Sequence, residues 1–170
     1  METIKGLEIY PVKTVILSNI VSIGIYVLGF LIIFKLGIAY SLLWLFYVSF
    51  FEFRLLKKHC TRCFYWGKVC GFGKDRVSSQ FFKKGDISNF CSKTMTWKNL
   101  IPDILLTLIP LVVGIVLLIL KFEPILFFAL LVLILFTTMG NGYIRGTLTC
   151  KYCKQKELGC PADMLFQKKK

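Results

Sequence analysis

Long apolar runs bounded by charges divide the chain into four stretches of membrane-crossing length. The first extends from Thr14 to Phe34 between Lys13 and Lys35 and carries no charge. The second, Leu36 to Phe53, holds Tyr40, Trp44 and Tyr47 and ends beside Glu52 and Arg54. The third runs from about Ile101 to Leu120, and the fourth from Ile125 to about Met139. A membrane-spanning helix needs roughly 20 apolar residues, fewer where polar flanks snorkel or the bilayer thins. The pattern therefore predicts four transmembrane helices. Only Lys35-Leu36-Gly37 separates the first pair, and Lys121-Phe122-Glu123-Pro124 the second, so each pair is expected to form a tight helical hairpin.

The expected fold class is an all-α integral membrane protein of two tandem hairpins. Its segments are a cytosolic N-terminus at 1–13, hairpin 1 at 14–53, a basic loop at 54–99, hairpin 2 at 100–140 and a C-terminal tail at 141–170. Pro11 and Pro102 are read as entries to the first helix of each pair, and Asn141-Gly142-Tyr143 as a helix stop.

Composition supports the membrane reading, since 56% hydrophobic residues and a mean hydropathy of +0.68 exceed the range of soluble domains. Charge then orients the chain. Lys and Arg outnumber Asp and Glu by 22 to 9, and the excess is concentrated: eleven against two from Arg54 to Asn99, and seven against two from Gly140 onward. Loops rich in Lys and Arg stay cytoplasmic, which places both termini and the middle loop in the cytosol of a multipass protein of the plasma or inner membrane. The N-terminus mixes charge signs and lacks a small-residue cleavage site, so no signal peptide is expected. With two minimal turns outside, a receptor for an external ligand and an extracellular enzyme are excluded. The expected partners are the bilayer and the anionic lipid headgroups of its cytosolic face, with a protein partner in a membrane complex as a further expectation. Nucleic acid is not expected.

Cysteine usage adds the candidate chemistry. Six of the seven cysteines form two triplets of identical C-x2-C-x6-C spacing, Cys60, Cys63, Cys70 and Cys150, Cys153, Cys160, at an offset of 90 residues. Arg54 and Arg145 stand just ahead of the triplets, and Lys35 and Lys121 mark the two outer turns. These correspondences predict an internal repeat, each copy a hairpin followed by a small cysteine module, packed about a pseudo-twofold axis along the membrane normal. A reducing cytosol disfavours structural disulfides, whereas a C-x2-C knuckle sets two thiolates at the spacing that tetrahedral zinc takes.

Three arrangements fit the count. The first is one shared site of Cys60, Cys63, Cys150 and Cys153, with Cys70 and Cys160 nearby. The second is one site per module, with His59 or Cys91 as a fourth ligand. The third is an iron-sulfur cluster, to which the Cys160-Pro161 dipeptide points. Zinc is the expected cofactor and the cluster its alternative.

The remaining residues argue against most other chemistry. One histidine, His59, rules out a bis-histidine haem, and no H-E-x-x-H occurs. No acid, base and nucleophile converge in the sequence, which weighs against an enzyme. Glu52 and Asp103 are expected at helix ends, solvated or paired with a neighbour such as Arg54. Asn19, with Ser18 and Ser22, is expected to bond a neighbouring helix. Gly71-Phe-Gly73-Lys74 reads as a turn closing the first module, Phe64-Tyr-Trp66 as an aromatic anchor at the membrane surface, and Arg145 as a cation beside thiolates. The expected function is a structural or scaffolding membrane module held by metal. A redox protein and a small transporter or accessory subunit are the alternatives.

Overall fold

A computed structural model describes residues 6–87 and 97–160, with side chains described from residue 100 in the second range. Among the described residues the regular structure is helical, apart from one parallel bridge between Leu7 and Cys153. Helix α1 spans Val12–Phe34, α2 Ile38–Lys58, the short α3 Lys74–Phe81, α4 Trp97–Leu120 and α5 Pro124–Leu135. α5 does not end there: it continues through wide π turns at Phe136–Gly140, a single turn at Asn141–Tyr143 and more π turns at Ile144–Thr149. A short α6, Lys154–Glu157, follows.

α1 is the hub and packs against α2, α4 and α5. It buries Ser18, Val21, Ile25, Gly29 and Ile32, a one-sided stripe at helical spacing. The hydroxyls on this stripe are satisfied within the helix, Ser18 donating to the Thr14 carbonyl and Ser22 to the Ser18 carbonyl, so polar atoms enter the core without loss. Each hairpin has one glycine that lets a large side chain close in. A Cβ on Gly29 would lie 2.7 Å from the Trp44 ring, and one on Gly114 would lie 2.6 Å from Leu130. Trp44 then donates its indole N–H to the Tyr26 carbonyl at 3.2 Å.

The turn ends of the two hairpins are simple. Gly37 takes φ 128°, open only to glycine, and Pro124 opens α5 at its first position. Lys35 Nζ and Glu123 Oε2 pair at 2.7 Å and tie the two turns together.

Large apolar side chains point outward along all four long helices, among them Ile20, Leu31, Leu43, Phe46, Ile115 and Phe128. Such a surface is a liability in water and the ordinary one in lipid. Four helical stretches, Val12–Phe34, Ile38–Arg62, Leu100–Leu120 and Pro124–Tyr152, are long and apolar enough to cross a membrane.

Three local readings change. Asn141-Gly142-Tyr143 does not stop the fourth helix, because π turns absorb the glycines and threonine hydroxyls back-bond the loosened carbonyls: Thr137 and Thr138 donate to Ile134, and Thr149 to Ile144. Pro102 does not enter its helix but sits inside it, and its carbonyl accepts the Tyr47 hydroxyl at 2.8 Å. Glu52 pairs with Lys74 rather than Arg54, since α3 folds back onto α2.

Candidate functional site

Both cysteine triplets lie at the same end of the bundle, opposite the tight turns. α2 closes at His59, Cys60–Arg62 forms a 3₁₀ turn, and the Cys63 amide donates to the Cys60 carbonyl at 3.3 Å. After the fourth long helix the chain repeats this course: Thr149 precedes the 3₁₀ turn Cys150–Tyr152, and the Cys153 amide donates to the Cys150 carbonyl at 3.3 Å. The dihedrals agree as well. His59 has φ −108°, ψ −54° and Thr149 φ −111°, ψ −65°, while Cys63 and Cys153 are both extended. None of the six described cysteines is in a disulfide.

The first triplet folds around an acid. Gly73, left-handed at φ 71°, turns the chain after Cys70 and its amide donates to the Cys70 carbonyl at 2.9 Å. This is the closing turn expected from Gly71-Phe-Gly73-Lys74. α3 starts at once and carries Asp75 in its first turn, where an acid suits the helix dipole. Ser78 anchors α3 by donating to the Leu56 carbonyl at 3.0 Å.

Asp75 is 4% exposed, and among the described residues its Oδ1 has no hydrogen-bond partner. Burial holds its carboxyl above the usual carboxylate range, while the thiols of Cys70, Cys60 and Cys63, directed at the carboxyl group, pull it back down. The thiols respond in kind. Burial, then the Asp75 charge, push Cys70 up to about 12 and raise Cys63 as well. Without a cation these sulfurs stay protonated.

The second triplet is more open. Cys150 is exposed, and Cys153 and Cys160 are half-buried. Burial raises the Cys153 thiol against the lowering effect of the Gln155 amide, and Cys150 and Cys160 act on it electrostatically. Cys60, Cys63 and Cys70 share the neighbourhood of Asp75, and Cys63 also feels Cys153 across the two modules. His59 caps α2 and lines a cavity described below. Cys91 lies outside the described residues. As they stand, no three described His, Cys, Asp or Glu side chains form a set that could hold a metal ion. The first three thiols and Asp75 are neighbours, not a closed coordination shell.

The segment that joins the modules is not evident in the sequence pattern. Residues 6–10 run as a strap between them, bent at Glu8 and Ile9. The Leu7 amide donates to the Tyr152 carbonyl at 2.9 Å and the Tyr10 amide to the Val69 carbonyl at 3.1 Å. Tyr10 donates its hydroxyl to the Thr149 carbonyl, and Tyr65 donates to the Leu7 carbonyl while accepting from the Lys154 amide at 2.9 Å. Gln155 accepts the Phe64 amide at 2.7 Å. Tyr10, Tyr65 and Cys70 form a small buried cluster that Cys63 and Cys153 both touch. Tyr65 is therefore a buried tie and not a membrane anchor, at 1% exposure. Apolar alternation does not mark the strap, since Leu7 and Ile9 are exposed and Tyr10 is the residue it buries.

Beside the first triplet, between the ends of α1, α2, α4 and the fourth long helix, lies a cavity of about 570 Å³. Cys60, Cys70 and Asp75 form part of its wall, with Arg54, Lys74 and Arg145. Lys74 is held by Glu52 at 2.6 and 2.8 Å, and Tyr26 also donates to Glu52. Arg145 lies over the Phe72 ring at 5.7 Å. Asn19 bonds the Phe72 carbonyl at 3.1 Å, so it fixes the loop after the first knuckle instead of a neighbouring helix.

The fold and site define an all-helical protein with four membrane-length helices and two like-folded cysteine turns at one end. Comparison with protein-family models, with curated proteins and with solved structures finds no match for the chain.

Proposed function

We propose that the protein is a multipass membrane protein whose first cysteine module binds a metal ion, with zinc the best-suited occupant, through Cys60, Cys63, Cys70 and Asp75. The observation that carries this reading is Asp75: a buried carboxyl group with an unpartnered oxygen, facing three thiols. A buried carboxylate whose only partners are weak thiol donors is costly, and a divalent cation removes that cost while taking the protons' place on the sulfurs. Three thiolates and one carboxylate suit tetrahedral zinc and fit poorly with a cluster held by four thiolates. The donors are near one another without forming a closed set, so metal entry would draw them together.

Cys150, Cys153 and Cys160 are the second candidate set, and their matching backbone supports reading the two modules as copies. The metal's role is structural: it locks the knuckle end and so presents a fixed basic face to the anionic headgroups or to a protein partner. The Lys and Arg bias supports placing that face in the cytosol.

The test is anaerobic purification followed by metal, acid-labile sulfide and visible absorption. A colourless protein containing zinc, lost in Cys60→Ser, is the expected result. Iron with sulfide and a brown colour would replace zinc with a cluster, and a wild-type protein without metal would end the reading altogether.

A further inference from the structure

The cavity has features that a structural metal does not use. Its volume, about 570 Å³, falls within the range of small-molecule sites. Ile25, Phe51, Leu55, Ile104 and Leu106 supply apolar wall. Its charges are unevenly shared: Arg145, His59 and Arg54 all act on Asp103, while the other carboxyl group of the wall, Asp75, is directed at the Cys70, Cys60 and Cys63 thiols. Lys74 is already bonded to Glu52 through both carboxylate oxygens. Among the described residues, neither Arg54 nor Arg145 makes a contact ion pair. The Arg145 guanidinium lies over the Phe72 ring, an arrangement that leaves its edge donors available.

We propose that this cavity binds a phosphate group, held between Arg54 and Arg145. One arginine comes from the end of each hairpin, so the anion would bridge the two halves of the molecule. Guanidinium forks match phosphate oxygens in pairs, and half-buried Arg54 and exposed Arg145, which both act on the Asp103 carboxylate, leave room for a second anion. The apolar wall at the end of membrane-length helices fits the chain of a phospholipid, and a water-soluble phosphate offers the same anionic group. The inference does not depend on metal at the cysteines.

The experiment measures thermal unfolding of the full chain in neutral maltoside detergent, with dioleoyl phosphatidic acid or inorganic phosphate as probe. Phosphatidic acid is expected to raise the Tm by roughly 5 °C. Arg54→Gln/Arg145→Gln should abolish that shift, whereas Lys83→Gln/Lys84→Gln, at exposed positions, should retain it. The same shift from inorganic phosphate, again lost with the two arginines, would support the site and identify a soluble source. Asp103→Asn removes the competing carboxylate and should enlarge the shift, which keeps the test intact if the double arginine variant does not fold. A shift that persists without the arginines, falls equally with the two lysines, stays unchanged in Asp103→Asn, or is absent for both probes overturns the proposal.

Discussion

The two cysteine turns share a backbone and differ in what lies behind it. At Cys60–Cys63 the chain continues through a left-handed glycine into α3, which returns an acid to the sulfurs and buries both. At Cys150–Cys153 it passes directly into the single turn of α6, and Cys150 stays exposed. A C-x2-C turn thus sets the bite of two sulfurs, while the residues after it decide whether they become a dry, acid-backed donor set or an open one. Spacing is only half of a cysteine site.

The largest effect should come from removing the tie between the turns. Tyr65→Ala takes away a buried ring and leaves the Leu7 carbonyl and Lys154 amide without their partner, at a cost of about 3–5 kcal/mol. Thermal unfolding in detergent measures it, and a loss below about 1 kcal/mol would mean that the modules do not depend on each other. Gly71→Ala is the next test, because its Cβ would fall 2.5 Å from the Thr149 side chain. Overpacking of this kind costs about 1–3 kcal/mol. An unchanged Tm would show that the two knuckle ends are not pressed together.

Thiol chemistry sharpens the contrast. In metal-free protein, iodoacetamide should modify exposed Cys150 roughly tenfold faster than buried Cys70, whose thiol burial and Asp75 keep protonated. Peptide mass mapping over time reads the two rates, and equal rates would erase the difference in environment.

The smallest expected effect is a slope with pH. Burial raises the folded-state Asp75 value above its unfolded value of about 4. Its contribution to metal-free stability is therefore full below that pH and is lost as pH rises through the folded value. Relative to Asp75→Asn, metal-free wild type should lose about 2–5 °C of Tm on going to neutral pH. Zinc should reverse the order of the two proteins, and parallel pH profiles would count against Asp75 as a buried acid.

Four apolar runs were enough to place the four long helices, because length and hydropathy alone decide what can cross a bilayer. The course of the fourth helix past Gly140 was not legible: glycines and an Asn-Gly pair signal a stop, and only back-bonded threonines and neighbouring helices keep the backbone helical. The triplets were visible in their spacing, and the acid behind the first was not. Asp75 stands between Lys74 and Arg76 in a basic segment, where an acid reads as a solvated surface charge. Its burial depends on α3 folding back on α2, a tertiary contact that no local pattern encodes. Tyr65 was hidden similarly, since an aromatic beside a predicted membrane surface has an obvious outward role.

The most direct test of the account is cobalt(II) titration of the metal-free protein under anaerobic conditions, read in the thiolate charge-transfer and tetrahedral d–d bands. Wild type and Cys150→Ser should both show the tetrahedral, thiolate-rich spectrum, and Cys70→Ser and Asp75→Asn should weaken binding or change the band pattern. A spectrum that survives unaltered in Cys70→Ser and Asp75→Asn, or that disappears in Cys150→Ser alone, would contradict a metal site built on the first module.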